Sequence, residues 1–185
     1  MAERTVWQID PAHTTVEFAV KHMMFTTVRG RFKDVKGTIE VDEKNPERSQ
    51  VSVDIAAASI DTGVADRDAH LRSADFLDAG THPNLTFRSK RVIGAIGREG
   101  AKFQVVGDLT IRGTTKEVTL DCEFEGTGTD PWGGTRAGVR ATTKIDRRDW
   151  GLQWNQALET GGILVGNEVT IDLEVQAVKQ VPVAA

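Results

Sequence analysis

Thr15-Val16-Glu17-Phe18-Ala19-Val20-Lys21 sets Val16, Phe18 and Val20 on one face of an extended chain and Thr15, Glu17 and Lys21 on the other. That is the two-residue period of a half-buried strand, not the 3.6-residue period of a helix. The alternation returns in Val51, Val53 and Ile55, in Phe103, Val105, Gly107, Leu109 and Ile111, and in Val118, Leu120, Cys122 and Phe124. It returns again in Val139, Ala141, Thr143 and Ile145, and in Val169, Ile171, Leu173 and Val175. With an edge-like start at Trp7 and Ile9 and a strand carrying Leu85 and Phe87, the chain has about eight long strands, the number of a small closed barrel. Turn signals stand between them: Asn45-Pro46, residues 97–100, Arg112-Gly113-Thr114, and residues 126–134 with Asp130-Pro131. Connections this short join antiparallel neighbours.

One break in parity stands out. Val28, Gly30 and Phe32 are even, whereas Gly37, Ile39 and Val41 are odd, and a β-bulge or sharp bend near residues 34–36 reconciles them. The one good helix signal covers residues 64–73, with Asp61 or Thr62 as the capping residue and Val64 and Leu71 on one face. A shorter turn is expected at residues 22–26, and the tail from Gln180 is expected to fray. The expected fold is all-β: a single domain over residues 1–185, an extended eight-stranded antiparallel barrel with one or two short helices.

Composition narrows the function classes. The 185 residues suit one domain with a sizeable core. A net charge of −4 lacks the basic field that nucleic acid requires. No apolar run reaches the ~18 residues of a membrane span, and the N-terminus lacks the basic-then-apolar pattern of a secretory signal, so a cytoplasmic location is expected. Cys122 is the only cysteine, which excludes an internal disulfide and a cysteine-based metal cluster.

The inward stripe carries large apolar side chains interleaved with Gly30, Gly37, Gly107 and Ala141, and almost nothing ionisable. Such an interior is either a filled core or a site for a long apolar chain, and it is poor ground for proton transfer or nucleophilic attack. Met23, Met24 and Phe25 follow the first long strand and belong at one mouth, as adaptable ligand contacts or as gap fillers under a turn. Phe76 and Leu77, after the helix, close that mouth as a lid or dock the helix on the sheet.

Several ordered blocks now add to this reading. They are Trp7-x-Ile9-Asp10-x-x-His13, Phe18-x-Val20-x-His22, and Val28-x-Gly30-x-Phe32 with Gly37; then Arg67-Asp68-x-His70-Leu71-Arg72-Ser73-x-Asp75-Phe76 and Pro83-x-Leu85-x-Phe87-x-Ser89. Gly107-Asp108-Leu109-Thr110-Ile111-x-Gly113, Asp146-Arg147-x-Asp149-x-Gly151-Leu152 and Gly166-x-Glu168-Val169 complete the series. Together, over residues 6–177, they resemble the YceI-like polyisoprenoid-binding family. The resemblance implies a lipocalin-like barrel whose tunnel holds a polyisoprenoid or similar amphiphile, with no catalytic residues and no cofactor. On that reading Phe18, Val20, Val28, Phe32, Phe87, Phe103, Val105 and Leu109 line the tunnel, with Met23, Met24, Phe25, Phe76 and Leu77 at its mouth.

Polar clusters offer sharper alternatives. His13, His22, His70 and His82 form no short ligand pair, so no metal site is expected; a strand-end hydrogen bond to a carboxylate such as Asp10 suits His13 and His22. Arg67 and Arg72, within the densest polar cluster, either receive a ligand head group or belong to a helix face with an Asp68–Arg72 pair. Ser73, His70 and Asp75 name a hydrolase triad, but one short helix cannot give them its geometry. Asp146, Arg147, Arg148 and Asp149 read as a charged strand end. The leading reading is a barrel that sequesters or carries a long amphiphile. A small enzyme on a lipid-like isoprenoid substrate and a ligand-free structural or homodimeric domain are the competing classes.

Overall fold

A computed structural model describes residues 4–159 and 161–182. The extended segments are β1 (Arg4–Ile9), β2 (Thr15–His22), β3 (Thr26–Phe32), β4 (Val35–Asp42), β5 (Gln50–Ala56) and β6 (Ile60–Asp61). After the helix α1 (Ala65–Arg72) come β7 (Asn84–Ile93), β8 (Lys102–Ile111), β9 (Thr114–Thr129), β10 (Thr135–Asp146) and β11 (Val165–Lys179). The ring β1-β4-β5-β7-β8-β9-β10-β11 closes through β1 and β11, so the fold is a closed eight-stranded antiparallel barrel.

The three remaining segments are not extra strands. β1 and β2 lie in tandem along β11, with Ile9 opposite Ala177 and Thr15 opposite Glu174. β3 runs along β2 as β4 runs along β1, and β6 along β3 as β5 along β4. Three adjacent strands are thus interrupted side by side, at residues 10–14, at Lys33 and Asp34, and at the 3₁₀ turn Ala57–Ser59. The parity break lies in this corner, as a bend and not a bulge. Val35 already pairs with Ile55, while Lys33 and Asp34 reach across to Ser59 O and Ala56 N at 3.2 and 3.0 Å.

A polar cluster fastens the corner. The Asp10 carboxylate accepts from Ala12 N at 3.0 Å and lies 2.8 Å from His13 Nδ1 and 2.7 Å from Arg136 Nη1. Arg136 also donates to Asp130 at 2.8 Å and to Gln176 Oε1 at 2.9 Å. Arg136 first, and His13 second, hold the Asp10 carboxyl down to about 2. His13 thus has the carboxylate partner expected of it, whereas His22 lies on the wall of the interior.

The helix departs from expectation in its cap and its face. Val64 occupies the N-cap without a side-chain bond and is exposed, so it shares no buried face with Leu71. Asp68 works in the opposite sense to a cap, its buried carboxylate accepting from Thr62 N at 2.9 Å and from the Thr62 hydroxyl. Asp68 and Arg72 therefore form no pair, and Arg72 donates to Ala58 O at 2.9 Å and Ile60 O at 3.2 Å, tying the helix to the corner. Phe76 and Leu77 are buried in the core cluster, which is docking. Gln180 N donates to Val6 O at 2.7 Å, so the tail is held at its root; residues 183–185 lie outside the described residues.

Two glycines make room for rings inside the barrel. A Cβ on Gly107 would stand 2.5 Å from the Phe87 ring and 2.7 Å from Arg88 O, and one on Gly30 would collide with the Phe18 ring. Because a backbone carbonyl cannot yield as a side chain does, Gly107→Ala should destabilise the fold by about 1–3 kcal/mol, measured by denaturant titration. The Asp10 cluster gives a pH test. A carboxyl whose pKa falls from 3.8 to about 2 on folding contributes stability that is whole above pH 3.8 and fades as pH falls through about 2. Asp10→Asn should therefore melt lower than wild type at neutral pH and flatten the loss of melting temperature between pH 4 and 2.

Candidate functional site

A cavity of about 850 Å³ occupies the barrel interior. Its wall follows β11 from Val165, opposite His22, to Ala177, opposite Ile9, which at ~3.3 Å per residue is roughly 40 Å of strand. The cavity is therefore a tunnel along the barrel. Its wall is apolar because closure turns one parity of every strand inward: Phe18, Val20, Val28, Phe32, Phe87, Phe103, Val105 and Leu109 all face it, with Phe76 and Leu77. The fold leaves out Met23, Met24 and Phe25, which form the exposed loop between β2 and β3. Arg72 is absent from the wall as well, since its guanidinium is turned to the corner carbonyls.

Polar groups on the wall are few. Arg67 donates to Thr62 Oγ1 at 2.7 Å and Thr62 O at 2.9 Å, and faces the tunnel together with His70 and Leu71 on one side of α1. His70 packs edge-on against Phe76 and Trp154, with ring centres 5.1 and 4.6 Å away, and lies 2.8 Å from Asp75. Ser73 donates to the His70 carbonyl at 2.6 Å, so the three residues do not form a relay from hydroxyl to imidazole.

Arg147 is the wall residue that the sequence reading placed elsewhere. It is 4% exposed and donates to Gly166 O at 2.8 Å, Leu152 O at 2.6 Å and Val165 O at 3.4 Å, with its guanidinium 6.0 Å from the Phe76 ring centre. Asp146 is turned away, gripped by Arg148 at 2.6 Å. Among the described residues no carboxylate lies within 4 Å of Arg147, and burial pulls its pKa down against the field of Asp146. A guanidinium stays charged even so, which leaves a cation on an apolar wall answered only by carbonyl dipoles. The signal was present: Arg147 continues the inward parity of Val139, Ala141, Thr143 and Ile145.

Cys122 also lies on the wall, its thiol pushed up to about 12, chiefly by burial and then by the charge of Asp121. Among the described residues no cluster of three metal-ligating side chains occurs, and no helix is long and apolar enough to cross a membrane.

Comparison with known proteins agrees with this architecture. The YceI-like domain matches residues 7–177. Protein YceI of Escherichia coli O157:H7 is 43% identical over 141 residues, covering 76% of this chain and 72% of its own. The crystal structure of the Campylobacter jejuni YceI protein superposes with a TM-score of 0.72 at 30% identity, over 87% of this chain and 90% of that one. A polyisoprenoid-binding domain from Saccharophagus degradans has the same fold, with a TM-score of 0.70 at 13% identity over 94% and 98% of the two chains.

The thiol offers a direct check on the enclosed wall. At pH 8 the native protein should react with a thiol reagent about a hundredfold or more slowly than the unfolded chain, because the thiolate is the reacting species. Native reactivity equal to that of the unfolded chain would mean that Cys122 is not enclosed.

Proposed function

This chain belongs to the YceI-like family, and we propose that it binds a long-chain polyisoprenoid or similar amphiphile in the barrel tunnel, to sequester or carry it. The observation that supports this most is the tunnel itself, about 850 Å³ of apolar space. At the ~30 Å³ that a water-sized group occupies in a liquid, it has room for on the order of thirty carbons. Each methylene moved from water to such a wall gains ~0.8 kcal/mol, so a chain is held without special polar contacts. The fold of the Saccharophagus degradans polyisoprenoid-binding domain is consistent with that occupant.

Arg67 and Arg147 would receive the polar end. Both face the tunnel without a carboxylate partner within 4 Å among the described residues, and guanidinium suits a phosphate, a carboxylate or a carbonyl oxygen. A purely structural barrel is disfavoured by the same volume, since even small apolar cavities cost ~24 cal/mol per Å³ and a barrel with no ligand gains nothing by staying hollow. The reading as an enzyme draws no support from these groups: the Cys122 thiol on the wall is held protonated, and the Ser73 hydroxyl, which lies off the wall, is turned to a carbonyl.

Solvent extraction of the purified protein, followed by mass spectrometry, should release an isoprenoid chain. Val20 lines the tunnel opposite Val28 and Val169. Val20→Trp should leave the melting temperature within a few degrees of wild type while the extracted ligand falls sharply, because the ring takes ligand space. Wild-type protein free of lipid, with a variant destabilised by about 1–3 kcal/mol, would instead identify a filled core.

A further inference from the structure

Met23, Met24 and Phe25 stand 42%, 63% and 83% exposed at the tip of the β2–β3 hairpin. Met23 and Met24 hold φ of 51° and 67°, a left-handed conformation that carries a cost for both and none for glycine. None of the three belongs to the core cluster; Met24 Sδ rests against Gly162, and otherwise the strained loop presents its apolar side chains to water. The loop also marks one end of the tunnel. Met23 N donates to Leu164 O at 2.8 Å, and Val20, His22, Val28 and Leu164 line the cavity immediately behind it.

We propose that this hairpin tip docks the protein on a lipid bilayer containing anionic lipid, with the three side chains entering the interface and the tunnel mouth facing the membrane. Charge supports that occupant. Lys21, Arg29, Arg31 and Lys33 are exposed on or just beyond the hairpin, against Glu17 on it, Asp34 just beyond it and Glu159 in the turn beside Met24, a local excess of cations although the whole chain carries −4. Asp61 engages Lys33 at 2.8 Å and reaches Arg31 at 4.0 Å, and Glu168 on the neighbouring β11 lies 3.8 Å from Lys144, so Lys21 and Arg29 are the cations left for lipid headgroups. Apolar side chains flanked by cations are the pattern of an interfacial anchor. Size decides against a second copy of the chain. One phenylalanine and two methionines bury a few hundred Å² at most, well short of the ~1,000 Å² of a stable protein interface, whereas each gains its full transfer energy on entering a bilayer.

Delivery of ligand from bilayer to tunnel rests on the function proposed above; docking does not, and the two are measured separately. Full-length protein is sedimented with vesicles of phosphatidylcholine alone and of phosphatidylcholine mixed with phosphatidylglycerol. Wild type should bind the mixed vesicles more tightly than the neutral ones, and added salt should weaken binding to the mixed vesicles alone. Met24→Ser combined with Phe25→Ser should reduce partitioning about tenfold or more at an unchanged melting temperature. Trp132→Ser, which removes an 85%-exposed aromatic from the β9–β10 loop, should leave partitioning unchanged. Wild type that stays in solution with both vesicles, or a double variant that sediments as wild type does, would overturn the proposal. So would a concentration-dependent dimer abolished by the double variant, which would make a second copy the occupant. Vesicle binding by protein that releases no chain on extraction would leave docking standing and remove the tunnel reading alone.

Discussion

Every strand in this protein depends on the pairing of Ile9 with Ala177, where β1 meets β11 and the sheet closes. An open sheet of eight strands presents two rows of unpaired backbone groups; closure removes both and separates each strand's side chains into an inside and an outside. Interior volume then follows from strand number, not from what is available to fill it. Leucine and phenylalanine could fill much of that space, but the chain places Gly30 and Gly107 beneath the Phe18 and Phe87 rings, which lie along the wall and leave the centre open.

Closure comes with an interruption: three strand positions on one side of the barrel break at a shared corner of residues 10–14, Lys33 and Asp34, and Ala57–Ser59, while β9 and β11 run through unbroken. Backbone groups released there find partners locally: Thr14 with Gln176 O and N, Lys33 with Ser59, Arg72 with Ala58 and Ile60. The polar residues of the opening motif and of the helix thereby acquire structural duties. Arg72, chemically able to grasp a head group, is held by the corner, whereas Arg67 and Arg147 are directed to the tunnel.

The wall is consequently uneven. Most of it is featureless hydrocarbon that distinguishes chain length and bulk poorly, while the end bounded by α1 and β11 gathers Arg67, His70 and Arg147 around Phe76 and Trp154. Two buried charges stand out on the wall: the Arg147 guanidinium, bonded to carbonyls, and the fully buried Asp42 carboxylate, whose Oδ1 accepts from Lys44 N and Asn45 N while Oδ2 has no partner among the described residues.

Alternation of side chains along Val16, Phe18 and Val20, and along seven other stretches, was enough to indicate an antiparallel barrel and most of its inner wall, because a strand's two faces are a property of the local backbone. The membership of the ring was not legible, since β1 and β2 share one position and β4, outside those eight stretches, takes another. The corner was visible as a change of parity between Phe32 and Gly37, though not its form, since a bulge and a bend shift parity alike. Only the folded chain decided which charged groups matter. Arg67 and Arg72 look equivalent in sequence, and they diverge because the carbonyls of Ala58 and Ile60 take the donors of Arg72 alone, while Arg147, which reads as part of a charged strand end, faces the tunnel. Only the folded chain turned Met23, Met24 and Phe25 outward, too: hairpin loops leave the sheet's alternation, and side-chain direction there is set by left-handed backbone angles that apolar composition does not reveal.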